Sequence, residues 1–563
     1  MLLFHDFCNF CKKNTTLLIV TTIALLFSYS GKFALYTIGY DTNVFWLSKN
    51  TFFDWNASTG RFGTLILQKL FWIGEFNPNA KFFIALCFLW LATISWCFII
   101  SVFNNNVSKN IRLIPFALIF LTMPIWAEQF YFVFEAAEFA FAIFLCPWIV
   151  YLLINGFLTN HNKQVLLSCL FLVFVMFVNQ AITTLFISGS AICLFLLLKN
   201  KKSDSSYIML CFKLLLVLIG ALITYFALNQ LALVYGLRLL GANYMPNDYL
   251  LSTIGWYIYR TPMFNSFLRI LVYIVVCCGY MPQRLPYFIE TVNPSFYACG
   301  MHTPQALLEL TKAFGNPLLL PAISLFIIQT IKISRDRKDD TERWLTLLIG
   351  IIIPISGFSL LILLGGRFLT RAMWALPLVS AFMFFYLLDV YKNKKTLYVA
   401  CFILALIISI RQAQITAQLF YTDYLRYMAD VRLAHEIDRT ISQMDFDRQL
   451  PVVFIGRYKL PYQKNLLYGD AIGRSMFDAM FDIIEPSGFK DPKEKDPMEF
   501  VEHKRVFMHT IGINLGSKWS WPNDEERSKQ MKIANDIAVS MPAYPKDDYI
   551  KQNKGLIVIK LSE

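Results

Sequence analysis

Acidic residues are sparse in the first part of this chain, and several of them gather at the edges of apolar runs. In "YTIGYDTNVFWLSKNTFFDWNASTGRFG" (36–63), Asp41 and Asp54 follow the first apolar run and Arg61 precedes the next. An ionisable group at a membrane boundary is costly to hold and marks a functional site more often than one on a soluble surface. Shielded by Tyr36, Tyr40 and Phe45, the Asp41 carboxyl would be shifted upward and suited to act as a general base toward a hydroxyl. The plainer reading is a solvated loop aspartate. Asp54 is a second carboxylate of the same loop, and Gly60 and Gly63 flank Arg61. That arginine can clamp a phosphate with two parallel hydrogen bonds, or pair with Asp54 or a lipid headgroup.

A second group lies in "WAEQFYFVFEAAEFAFAIFL" (126–145), where Glu128, Glu135 and Glu138 interrupt an apolar run. Separations of seven and three put them on one face of a continuous helix. Three acids beside a membrane span are better explained by a site than by solubility, the alternative being pairing with arginines. Glu128 is a candidate catalytic carboxylate; Gln129, Glu135 and Glu138 are candidate substrate ligands. A third group, "GGRFLTRAMWALP" (365–377), places Arg367 and Arg371 four apart, a spacing that suits a phosphate leaving group. Arginines at helix ends also snorkel and bind anionic lipid without selectivity. Arg238, Arg260 and Arg269 are weaker candidates of the same kind.

The elements that must position these residues are membrane helices. Of 563 residues, 56% are hydrophobic, and twelve apolar runs cover roughly 17–37, 80–103, 111–127, 137–154, 164–179, 181–198, 207–228, 265–281, 317–333, 344–364, 372–390 and 395–411. About 20 apolar residues are needed to cross a bilayer core. The first run, after Lys12 and Lys13, has no small-residue cleavage site behind it and reads as an uncleaved span. Short basic connections at 199–204, 332–343 and 391–395 belong on the cytoplasmic side by the positive-inside rule. The tail then faces outward, which requires an odd number of crossings. Eleven spans are expected, with 267–283 re-entrant or lying along the interface; thirteen would need a further crossing at 250–262.

After Arg411 the composition changes. Residues 412–563 hold 21 Lys+Arg and 22 Asp+Glu, so the basic excess behind the formal charge of +13 lies in the first 411 residues, with 30 basic and 16 acidic. Nucleic acid is therefore an unlikely class of partner. The tail reads as an extracytoplasmic α/β domain (412–563): an amphipathic helix first, a buried strand "PVVFIG" (451–456), and a last strand "GLIVIKL" (555–561). All 12 cysteines lie at or before Cys401, so no disulfide framework is expected in the tail, and Cys87, Cys169 and Cys193 read as packing residues. Cys8 and Cys11 have the spacing of half a metal site without a second half. Nucleotide-loop, zincin and nucleophile-elbow patterns are absent. An outward-facing transferase without a nucleotide site must draw its activated group from the membrane.

The order "TGRFG", "MPIWAEQFYFVFEAAEFAFAIFL", "PVVFIGRY", "YGDAIGRSMFD" and "SMPAYPKDDYIKQNKGLIVIKL" resembles the bacteriophage-type O-antigen glucosyltransferases, the serotype-converting family of the GT-C superfamily. The resemblance covers nearly the whole chain and is loosest between about 200 and 340. It implies a polytopic GT-C-like enzyme of the bacterial inner membrane, with a periplasmic C-terminal domain. Such an enzyme takes glucose from undecaprenyl-phosphate-glucose and passes it to a lipid-linked polysaccharide, without a cofactor and, with a lipid monophosphate donor, without a metal. It also implies Asp41 as base, with Asp54 as the alternative, Arg61 as the family's Gly-Arg feature, and Glu128, Glu135 and Glu138 as its second-loop acids. In the hypothetical mechanism Arg367, Arg371 and Arg61 stabilise the departing phosphate, and Tyr462, Trp519 and Trp521 in the tail help hold the acceptor. A donor synthase and a flippase are the partners the family implies. The rival readings are a transporter or flippase of lipid-linked saccharide, another lipid-sugar transferase, polymerase or ligase, and a membrane sensor whose tail binds polysaccharide.

Overall fold

The computed structural model describes residues 2–39, 42, 52–53, 56–57, 59–71, 77–105, 110–200, 206–232, 263–293, 296, 303–337, 339–366, 369–444, 447, 450–458, 466–478, 499–515, 524–553 and 555–562. Six described helices are long and apolar enough to cross a membrane: Thr15–Ala34, Pro78–Phe103, Val133–Leu158, Ile182–Asn200, Tyr207–Leu231 and Lys395–Gln443. Two bent pairs, Leu113–Thr122 with Ile125–Tyr131 and Pro304–Phe314 with Leu319–Arg335, raise this to eight if each is one span. Shorter apolar helices cover Phe62–Phe71, Asn162–Val178, Phe264–Cys277 and Ala375–Val390. The chain is a polytopic helical membrane protein. Backbone polar groups have no partner in lipid, so helices that satisfy them internally are the form such runs adopt. On Thr15–Ala34, Ile19, Ile23, Leu26 and Phe27 form an exposed apolar stripe while Tyr29 and Lys32 face inward.

The basic connections meet at one end of the bundle. Asp389, at the end of Ala375–Val390, pairs with both Arg112 and Lys199, Arg337 donates to the Leu198 carbonyl, and the Asn110 amide donates to Asn14 Oδ1 at 3.2 Å. Sequence separations of up to 277 residues are closed there, so the described parts of these connections lie together.

The opposite end carries the tail, and the two are joined without a linker. Lys395–Gln443 is one helix of 49 residues, so the boundary expected at 411/412 falls inside a continuous element. The tail strands β1 (Val452–Ile455), β2 (Ile550–Asn553) and β3 (Leu556–Lys560) lie in the order β1-β3-β2, with β3 parallel to β1 and antiparallel to β2. Both expected strands are found, as β1 at an edge and β3 at the centre. The short strand Ile550–Asn553, whose last three residues are exposed, was not foreseen, because a polar edge strand lacks an apolar signature. Alternate residues of β3 serve two cores. Leu556 and Val558 pack with Ala534, Ile537 and Ala538 of the helix Asp524–Val539, while Ile557 and Ile559 belong to the same apolar cluster as the bundle.

Candidate functional site

Pro124 starts the geometry of the site. It has no N–H, so the Phe120 carbonyl lacks its usual donor, and Trp126 Nε1 supplies one at 2.6 Å. Thr416 of the long helix donates to the Thr122 carbonyl at 3.0 Å. The result is a 42° bend before Ile125–Tyr131. A second interruption follows at Phe132, whose φ −83°, ψ 66° separates that short helix from Val133–Leu158. The single helical face expected for Glu128, Glu135 and Glu138 is therefore corrected: the break re-aims Glu128, and each acid meets a different partner.

Glu128 faces the tail. Its Oε1 accepts the Asp470 amide at 2.6 Å, and Oε2 accepts those of Ala471 at 3.1 Å and Ile472 at 3.4 Å. The glycines of "YGDAIGR" make this possible: a Cβ on Gly469 would sit 1.8 Å from Glu128 Oε1, and Gly473 has φ +86°. Asp470 in turn accepts the Thr370 hydroxyl at 2.7 Å and the Thr370 amide at 3.3 Å. Arg371, next in that 3-10 turn, places its guanidinium 4.3 Å from the centre of the Phe132 ring and makes no ion pair among the described residues.

Glu135 lies 3.6 Å from Arg61, which also stands 5.6 Å from the centre of the Phe139 ring. The loop carrying Arg61 is fixed by its glycines. Gly60, at φ +72°, packs beside Tyr225 and Asn229, and a Cβ on Gly63 would meet the backbone of Phe177 and Val178 at 2.8 Å. Glu138 pairs with Lys81 at 2.8 Å, both fully buried, and Lys81 donates to Gln68 Oε1 at 2.6 Å. Two of the three acids thus pair with cations: Glu135 with an arginine, as the alternative reading held, and Glu138 with a lysine that sequence reasoning passed over, whereas Glu128 takes backbone amides. Among the described residues, Gln129 Nε2 and Glu135 Oε1 are buried without a hydrogen-bond partner, leaving polar capacity unspent between these pairs.

Sequence reasoning also missed Lys32, Asp423, Arg426 and Asp430. Arg426 bonds Asp423 at 2.5 Å, Asp430 at 3.3 Å and the Ile38 carbonyl at 3.2 Å. Lys32 stands 3.7 Å from Asp423, and Thr37 donates to the same carboxylate. Asp430 takes the Ser475 hydroxyl at 2.5 Å and the Met476 amide at 2.9 Å. The signal was in the sequence: "DYLRYMAD" spaces these charges at i, i+3 and i+7 on one helix face. The network fastens the chain just before Asp41. Asp41, Asp54 and Arg367 lie outside the described residues, as do Arg238, Arg260, Tyr462, Trp519 and Trp521. Arg269 is buried and donates to the Phe296 carbonyl at 2.9 Å.

The family described as glucosyl transferase GtrII matches residues 33–411, more than half of the chain. The chain belongs to the GtrII glucosyl transferase family. Neither the comparison with curated proteins nor that with solved structures gives a match. Membership implies transfer of a glucosyl group from a sugar donor to an acceptor. The GtrII match takes in Arg61, Glu128, Gln129, Glu135, Glu138 and Arg371, and it ends before the tail residues that hold Glu128.

Proposed function

We propose that this GtrII-family protein moves glucose from undecaprenyl-phosphate-glucose to a hydroxyl of a lipid-linked O-antigen or related surface polysaccharide, at the periplasmic end of an inner-membrane bundle. The observation that carries the reading is Arg371: at the tail-bearing end, its guanidinium rests on Phe132 with no carboxylate to neutralise it among the described residues. A planar cation held ready in this way suits a phosphate monoester or diester.

We read the helices as eleven passes between the basic end and the tail end: Thr15–Ala34, Pro78–Phe103, the bent pair from Leu113, Val133–Leu158, Asn162–Val178, Ile182–Asn200, Ser206–Leu231, Leu319–Arg335, Asp340–Ser356, Ala375–Val390 and Lys395–Gln443. Odd parity puts the basic connections in the cytoplasm and the tail outside.

In this mechanism a carboxylate of the first outer loop, Asp41 or else Asp54, takes the proton from the acceptor hydroxyl as its oxygen attacks the anomeric carbon. The bond from that carbon to the phosphate oxygen breaks, and the polyprenyl phosphate leaves against Arg371, with Arg367 beside it in sequence. Glu128, occupied by three amides, is a holding group and not the base. Gln129, Glu135 and Arg61 are assigned to sugar hydroxyls, which amides and carboxylates bind well. A lipid monophosphate needs no metal at this step, and full activity in excess chelator is expected.

The test is transfer of labelled glucose from the purified donor to a lipid-linked acceptor by the purified protein. Wild type should transfer, and one of Asp41→Asn and Asp54→Asn should lower the rate by about a hundredfold or more. No transfer by wild type, with saccharide flux in sealed vesicles, would replace this reading with transport.

A further inference from the structure

The turn that carries Arg371 cannot hold itself. Thr370–Ala372 is a single 3-10 turn, preceded by Gly365 and Gly366 at φ +62° and +89°, and an isolated turn is entropically unfavourable without outside contacts. Two contacts are clear. Trp374 Nε1 donates to the Arg371 carbonyl at 2.7 Å, and Asp470 receives both the amide and the hydroxyl of Thr370. Asp470 is itself seated by Glu128, which receives its amide and those of the two following residues. Four residues after Glu128, Phe132 supplies the ring under the Arg371 guanidinium.

These contacts close a circuit. The short helix Ile125–Tyr131 presents a carboxylate to the tail loop; the tail loop presents a carboxylate to the 3-10 turn; the turn returns its arginine to the residue that ends the short helix. Moving the tail loop therefore moves Arg371 relative to Phe132. Thr370, Arg371 and Glu128 lie within the family match at 33–411, whereas Asp470 lies outside it.

We propose that Asp470, seated by Glu128, is the positioning residue for Arg371, so that the tail loop 469–473 is part of the donor-phosphate site. This rests on the reading of Arg371 given above. Asp470 acts through the backbone and hydroxyl of Thr370, setting where the guanidinium stands. It touches neither the acceptor nor the anomeric carbon in this scheme, so its loss acts on the donor phosphate, bound and departing, and spares acceptor binding.

The experiment uses the full-length purified protein and undecaprenyl-phosphate-glucose as the titrated probe. Thr370→Val and Asp470→Ala should each lower kcat/KM for the donor about tenfold, as loss of a hydrogen bond to a charged group would, with the acceptor KM changed by less than about twofold. Thr370→Ser, which keeps the hydroxyl, should restore wild-type values. Combined with Arg371→Ala, neither change should cost more than Arg371→Ala alone, because both act through that side chain. Hydrogen exchange supplies a readout independent of turnover: amides 369–373 should lose protection in Asp470→Ala. Retained protection in Asp470→Ala, or multiplicative losses in the double variants, would overturn the proposal. An unchanged kcat/KM for the donor in Arg371→Ala would overturn the phosphate reading, and with it the donor role of Asp470, while the exchange data would still report whether the loop holds the turn.

Discussion

Lys81 Nζ stands 2.8 Å from Glu138 Oε1, and neither side chain has any solvent exposure. Each charge is tolerable there only because the other is present. Glu138→Gln or Lys81→Met should therefore each destabilise by about 3–5 kcal/mol, while the double replacement Lys81→Met with Glu138→Leu should be milder than either. Thermal unfolding of the three variants in detergent checks this, and a double variant worse than both singles would refute it.

Gly469 leaves room for a carboxylate and nothing more. An added Cβ would meet Glu128 Oε1 at 1.8 Å and Ile472 Cγ2 at 2.4 Å, so Gly469→Ala should lift the loop and cost about 1–3 kcal/mol. Gly512→Ala is the comparison: its φ of +89° strains an alanine, but nothing lies within 4 Å. Limited proteolysis should expose the 469–473 loop in the first variant only.

Lys504 gives the tail a pH signature. It donates to the Gly456 carbonyl at 3.2 Å, and burial pushes its pKa down to about 8, with Asp478 opposing the shift and Arg457 adding to it. An unfolded lysine titrates near about 10.4. Between those values the unfolded chain binds more protons than the folded one, so this residue makes stability rise with pH from about 8 to about 10.4, by at most about 1.4 kcal/mol per unit. Below pH 8 its burial penalty is fully present. Melting temperatures of wild type and Lys504→Met, compared from pH 7.5 to 10, should show that rise only in wild type.

Trp126 stands in for the donor that Pro124 lacks, so Trp126→Phe should leave the buried Phe120 carbonyl short of a partner. A loss of about 1–3 kcal/mol is expected. Restoring a backbone donor with Pro124→Ala in the same chain should recover part of it, and failure to recover any would mean the indole ring's packing matters more than its N–H.

Much of this molecule is written locally, and some is not. Apolar runs were legible as helices because each depends on its own stretch of chain and on the length a bilayer demands. The strands at 452–455 and 556–560 read correctly for the same reason. Glu128, Glu135 and Glu138 were legible as unusual residues, but their directions were not, since Phe132 has no residue-type signature that announces a break. Lys81 and Lys32 were hidden in plain sight: a lone lysine inside an apolar helix implies an acid elsewhere, and the acids, Glu138 and Asp423, lie 57 and 391 positions away (138 − 81 and 423 − 32). The contact between Glu128 and the loop at Asp470 joins residues 342 apart, and pairings of that length follow from the packed whole.

The 49-residue helix Lys395–Gln443 bears on how relatives of this protein can be recombined. Its first third is apolar and its later turns hold Asp423, Arg426 and Asp430, which grip Lys32, Thr37, Ile38 and the tail loop. A splice at residue 411, where composition and family match both change, would sever the helix above its own fastenings and graft a foreign grip onto the segment that follows Thr15–Ala34. Swaps made beyond Met444, where that helix ends, would instead carry the grip with the bundle, though still exchanging the 469–477 loop that it must hold. Interchangeable tails would thus have to agree with their hosts at Glu128, Asp423 and Asp430, and a tail that disagreed would silence an otherwise intact bundle.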